Sequence, residues 1–144
     1  MARLLHSRFE RGPGAFTVAL IRAVSGFLFV SISLGKFLDH AAEAVDFDRY
    51  GVPMPDVAVY AVGTIELICG LLLIAGLLTR PAAALLALNL IGAIATAGRV
   101  EGGSFNLGVA PALLAVMVLL LWVGSGRPAV DAILERQIRS QSPG

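Results

Sequence analysis

The chain has 144 residues, of which 57% are hydrophobic and only 15% charged, and its mean hydropathy is +0.83. About a quarter of the residues of an ordinary soluble domain are charged, so this composition excludes a soluble core and indicates a membrane protein. The net charge of +1 and pI near 8.0 give no reason to expect nucleic-acid binding.

The basic N-terminal tail, with Arg3, Arg8 and Arg11, precedes a first apolar stretch over 16–38. That run exceeds the roughly 7 to 15 residues of a signal-peptide core and no convincing A-x-A site follows it, so a retained anchor is expected. Residues 39–50 are acidic and could form a short external helix before Gly51, Pro53 and Pro55 break it. Further apolar stretches follow at 56–78, 81–98 and 107–124, each close to the roughly 17 to 25 residues that cross a bilayer. Thr79, Arg80 and Pro81 are expected to form the tight turn between the second and third spans, and Asn106 to cap the fourth. Over 128–139, Val130, Ile133, Leu134 and Ile138 recur at helical spacing, as in an amphipathic tail helix. The expected fold class is therefore all-α: one four-span integral membrane bundle covering 1–144. Seven Arg on one side against two or three cations on the other place both termini in the cytoplasm.

Inside the spans stand charges that lipid does not tolerate. Glu66 sits mid-span, where a charge costs at least about 2.5 kcal/mol on insertion scales. Arg22 and Lys36 lie on the first span and Asn89 on the third. Spacing by threes and fours puts Arg22, Ser25, Gly26, Phe29, Ser33 and Lys36 on one helix face. Gly63, Glu66, Cys69, Gly70 and Leu73 form a second inward stripe, and Asn89, Gly92, Ala93 and Thr96 a third. At about 1.5 Å of rise per residue, Glu66 and Asn89 fall near mid-span, Arg22 about 7 Å to the cytoplasmic side and Lys36 about 13 Å to the external side. On those depths Arg22 is the expected partner of Glu66, with Asn89 hydrogen-bonded beside them. Lys36 is then expected either to face an external vestibule or to snorkel. Such a pair serves equally as a register-fixing contact or as part of a ligand site.

Once these residues are aligned, a resemblance to the DoxX family emerges. It rests on Arg22 with Gly26 and Phe29, Gly35-Lys36-Phe37, Gly51-Val52-Pro53, Ile65-Glu66-Leu67 with the run from Gly70, and Gly76 to Ala83. Gly124, Ser125, Gly126 and Arg127 with Ala129-Val130-Asp131 resemble the family's closing G-x-G-x-x-S-x-D pattern, Ala129 standing where Ser is usual. The resemblance implies a multi-pass protein of a bacterial-type inner membrane. The group includes a membrane subunit of a thiosulfate:quinone oxidoreductase and members linked to oxidative-stress complexes. Family membership alone does not transfer catalysis.

The inventory narrows the chemistry. Cys69 is the single cysteine, which excludes an intrachain disulfide or a Cys-x-x-Cys relay, and it reads as a small packing residue. His6 and His40 are misplaced for an intramembrane haem, and His40 with Asp39 and Glu43 reads as a solvated acidic loop before a weak metal site. Dinucleotide and P-loop fingerprints are missing from the sequence. The expected role is a membrane subunit of a quinone-linked or oxidative-stress redox complex, with quinone or a small sulfur compound bound by Arg22, Lys36, Glu66 and Asn89. The alternatives are an accessory protein recruiting a redox-enzyme partner, and a small proton-coupled transporter, which four spans would support only in a homo-oligomer.

Overall fold

The computed structural model describes residues 13–101 and 108–126. The expected Asn106 cap, the 128–139 tail helix and the Arg127 to Asp131 part of the closing motif lie outside these residues.

Among the described residues five helices follow one another: α1 (Pro13–Leu38), α2 (His40–Arg49), α3 (Pro55–Ala75), α4 (Thr79–Val100) and α5 (Ala110–Val123). Of these, α1, α3 and α4 are long and apolar enough to cross a membrane, and α5 is a shorter apolar helix. With 14 residues, α5 spans about 21 Å at the usual rise. The third span is longer than the sequence suggests, because α4 begins at Thr79. Leu77 donates to the Leu72 carbonyl and Gly76, at φ 68°, to the Leu73 carbonyl, so the chain turns one residue after α3 ends. Leu78, with φ 50°, completes the reversal, and Thr79, Arg80 and Pro81 become the first turn of α4. Arg80, expected in the turn itself, thus belongs to a helix start.

Burial is inverted relative to a soluble bundle. Phe16, Phe27, Leu38, Ile68, Leu88 and Trp122 are exposed, whereas Arg22, Ser25, Ser33, Lys36, Glu66 and Thr79 are buried. Where lipid surrounds the bundle, apolar side chains outside cost nothing and polar ones gain by turning inward. Trp122, at the end of α5, suits an interfacial anchor.

The expected inward faces of α1 and α3 are all buried. These two helices pack antiparallel along nearly their whole length, because small residues let the backbones meet. A Cβ on Gly26 would stand 2.7 Å from the Gly70 carbonyl oxygen, and one on Gly70 2.9 Å from that of Gly26. Ser33 adds a hydroxyl bond to the Gly63 carbonyl, 2.7 Å away. The α4 face differs from expectation. Thr79, Ala82, Ala83, Leu86, Ala87, Leu90 and Ala97 are buried, whereas Gly92 is exposed and Asn89, Ala93 and Thr96 only half-buried. The alanine and leucine face is broader than the polar stripe, and it packs with Leu113, Met117 and Leu120 of α5 into one apolar core.

The start of α1, the α3–α4 turn and the end of α5 share one end of the bundle: a Cβ on Gly126 would meet the Ala15 carbonyl at 2.9 Å, and one on Gly124 would lie 3.6 Å from Arg80 Nε. At the opposite end lies α2. His40 stacks on Tyr60 with ring centroids 4.0 Å apart and an interplanar angle of 16°, its Nε2 3.4 Å from Asp56 Oδ1. At its other terminus, Arg49 Nη1 is 4.0 Å from Glu101 Oε1, and Tyr50 hydrogen-bonds Glu101. The acidic loop helix therefore reaches from the first turns of α3 to the end of α4. His40 engages Asp56 and Tyr60, and no cluster of three metal-ligating side chains occurs among the described residues. Met54 is exposed and takes φ 51° ahead of Pro55.

Candidate functional site: a buried Lys36–Glu66–Asn89 cluster

Three helices bring one charged cluster together. Lys36 Nζ of α1 lies 2.9 Å from Glu66 Oε2 of α3, and Asn89 Nδ2 of α4 donates to Glu66 Oε1 at 2.8 Å. Lys36 and Glu66 are 8% and 6% exposed, which leaves the ion pair almost wholly out of solvent. Removal from water costs several kcal/mol per ion, so each charge depends on the other. Each Glu66 oxygen thus has one partner, and each keeps a lone pair able to accept from an incoming O–H or N–H group.

This pairing corrects the one expected from depth. Arg22 does not partner Glu66; its Nη1 donates to the Ser125 carbonyl beyond α5. Two physical causes decide. The first is register: Gly26 lies opposite Gly70 and Ile74, and Gly63 lies against Lys36 and Phe37, which carries Arg22 past Ile74 to the other end. The second is side-chain direction. Cα–Cβ bonds tilt toward a helix's own N-terminus, so on antiparallel helices Lys36 and Glu66 lean toward each other while Arg22 leans away. Lys36 accordingly neither snorkels nor faces a vestibule. Of the four candidate residues, the structure gathers Lys36, Glu66 and Asn89 and sets Arg22 apart, tying α1 to the chain after α5.

Cys69 lies one turn from Glu66, buried and free of any disulfide. The clamps of α2, His40 with Asp56 and Tyr50 with Glu101, were not recognisable as pairs because they join residues 16 and 51 positions apart across loops. The only sequence signal was Asp56 and Glu101 bordering apolar spans.

Fold and cluster together define a small all-helical membrane protein with an ion pair and an amide held in its interior. Its family follows from comparison with known proteins. The DoxX family profile matches residues 17–99, a stretch containing α2, α3 and the whole cluster. An uncharacterized membrane protein of Mycobacterium tuberculosis (strain ATCC 25618 / H37Rv), Rv3486, is 33% identical over 94% of this chain and 88% of its own length. A Bacillus subtilis (strain 168) protein, "Putative oxidoreductase CatD", is 39% identical over 54% of this chain and 56% of its own. No solved structure matches significantly. The chain belongs to the DoxX family.

Proposed function

We propose that this protein is a membrane subunit of a quinone-linked or oxidative-stress redox complex, and that Lys36, Glu66 and Asn89 hold the polar head of a bound quinone in its reduced, hydroxyl-bearing form. The observation that carries the reading is the state of Glu66. Ionisable groups inside a membrane bundle lean functional. Glu66 is held by Lys36 Nζ at 2.9 Å and by Asn89 Nδ2 at 2.8 Å, and its two oxygens, each contacted once, keep lone pairs for a donor on a ligand. The name of the Bacillus relative lends this direction support over the part of the chain that it shares. Arg22 drops out of the ligand set, and a small sulfur compound becomes the weaker alternative because the cluster offers no uncompensated cation.

The test is extraction of lipid from the purified protein and identification of retained quinone by mass spectrometry. Wild type retains quinone in stoichiometric amount, and the double variant Lys36→Met/Glu66→Leu, which leaves no unpaired charge, loses it. Equal retention by a folded double variant overturns the site.

A second reading, recruitment of a soluble partner, rests on α2 and its N-cap, where Asp39, Val45 and Asp48 are exposed at one end of the bundle. Reversing Asp39 and Asp48 to Lys abolishes partner recovery under that reading and leaves quinone retention unchanged.

A further inference from the structure

We infer that the cluster is reached sideways from the lipid phase, across the seam between α3 and α4 at Gly92, and that its ligand is a neutral lipid-soluble molecule presenting an O–H or N–H donor to Glu66. This rests on the ligand-site reading above and adds to it the route and the charge class of the ligand.

Three observations carry it. The end of the bundle nearest the cluster is crossed by α2, clamped to α3 through His40, Asp56 and Tyr60 and to the end of α4 through Arg49, Tyr50 and Glu101. The α4 side is open by comparison. Glu66 is buried, Asn89 half-buried and Gly92, one turn further along the same face, exposed. A Cβ placed on Gly92 meets no atom within 4 Å, in contrast with Gly26, Gly63 and Gly70, each filled by a neighbouring helix. Burial therefore decreases from Glu66 through Asn89 to Gly92, toward the lipid-facing surface on which Leu85, Leu88 and Ile91 are also exposed.

Charge selects the ligand. Lys36 and Glu66 cancel, so an anion entering would lose its hydration without gaining a free cation, and a cation would meet the ammonium. The remaining capacity is the unused lone pairs of the Glu66 carboxylate, which suit the hydroxyl of a hydroquinone-type head or another uncharged donor carried in the hydrocarbon.

A pair of carbodiimides tests the route without knowledge of the natural ligand. Dicyclohexylcarbodiimide partitions into lipid, and a water-soluble cationic carbodiimide does not. With either reagent the Lys36 ammonium gives up a proton to the carbodiimide nitrogen while the Glu66 carboxylate oxygen adds to its central carbon. The resulting O-acylisourea either rearranges to a stable N-acylurea or is attacked by Lys36 Nζ, 2.9 Å away, forming a Lys36–Glu66 amide and releasing the urea, and either product counts as labelling. Labelling of the Glu66 peptide is read by mass spectrometry on protein in vesicles, alongside the variants Gly92→Leu and Glu101→Gln. The lipid-soluble reagent is expected to label Glu66 faster than the water-soluble one by about an order of magnitude or more, equivalent to about 1.4 kcal/mol in barrier. Gly92→Leu slows that labelling by a similar factor, and Glu101→Gln leaves it unchanged. Equal labelling by both reagents, faster labelling in Glu101→Gln with no effect of Gly92→Leu, or no labelling of Glu66 by either reagent overturns the lateral route. Lateral labelling in a protein that retains no quinone overturns the ligand assignment alone, and quinone retention with water-side labelling overturns the route alone.

Discussion

Lys36 and Glu66 depend on each other because neither has water as a substitute. Lys36→Ala leaves a buried carboxylate and is expected to destabilise the detergent-solubilised protein by about 3 to 5 kcal/mol. Glu66→Ala should cost a similar amount, and the double variant should recover much of it, giving a coupling well outside additivity in a thermal or denaturant double-mutant cycle. Arg22→Ala combined with Glu66→Ala should be additive, since Arg22 bonds the Ser125 carbonyl at the other end. Strong coupling of Arg22 with Glu66 would contradict the assigned register. The residues of the cluster were legible in the sequence, since a carboxylate, a cation and an amide stood in apolar runs. Their pairing was not legible, because centring each span in the bilayer misjudged the register and ignored the tilt of side chains toward helix N-termini. A second residue-scale consequence concerns Tyr50, whose hydroxyl is pushed above its ordinary value of 10.0 by burial first and by the Glu101 carboxylate second. A raised pKa contributes stability that is complete below the unfolded value and is lost as pH rises through the folded one. Thermal stability should accordingly fall as pH climbs above about 10, and Tyr50→Phe should remove that part of the fall.

Between elements, the decisive contact is the glycine crossing of α1 and α3. Gly26→Ala and Gly70→Ala each drive a methyl into the opposing carbonyl oxygen, 2.7 and 2.9 Å away, and should cost about 1 to 3 kcal/mol through helix separation. Gly92→Ala meets open space and should be neutral or stabilising by up to about 1 kcal/mol, because alanine favours the helix. Equal losses at Gly26 and Gly92, measured by thermal unfolding in one detergent, would contradict the packing. Helical periodicity revealed the buried faces of α1 and α3 because each carries charge or glycine at threes and fours. The buried face of α4 escaped the same reasoning. Its alanines and leucines are distributed nearly all round the helix, so the polar residues drew attention to the edge of the interface and away from its centre.

At the scale of the whole molecule, charge is divided between the ends. Arg22 and Arg80 lie near the end holding the α3–α4 turn, while Asp39, Asp46, Asp48, Asp56 and Glu101 gather at the end crossed by α2. Taken with the Arg residues of the two terminal sequences, the positive-inside bias predicts that the turn end faces the cytoplasm. Single cysteines at Ser7 and Ser140, in a Cys69→Ala background, should react with an impermeant reagent only from the cytoplasm, and one at Asp48 only from outside. Labelling of Ser7 and Asp48 from the same side would contradict the topology. The central claim is that Glu66 meets a ligand inside the bundle, and infrared difference spectroscopy addresses that carboxyl directly. On addition of a short-chain hydroquinone to the reconstituted protein, a carboxyl band should shift in wild type and be missing from the difference spectrum of Glu66→Gln. An unchanged carboxyl region in a folded wild type saturated with hydroquinone would contradict the account.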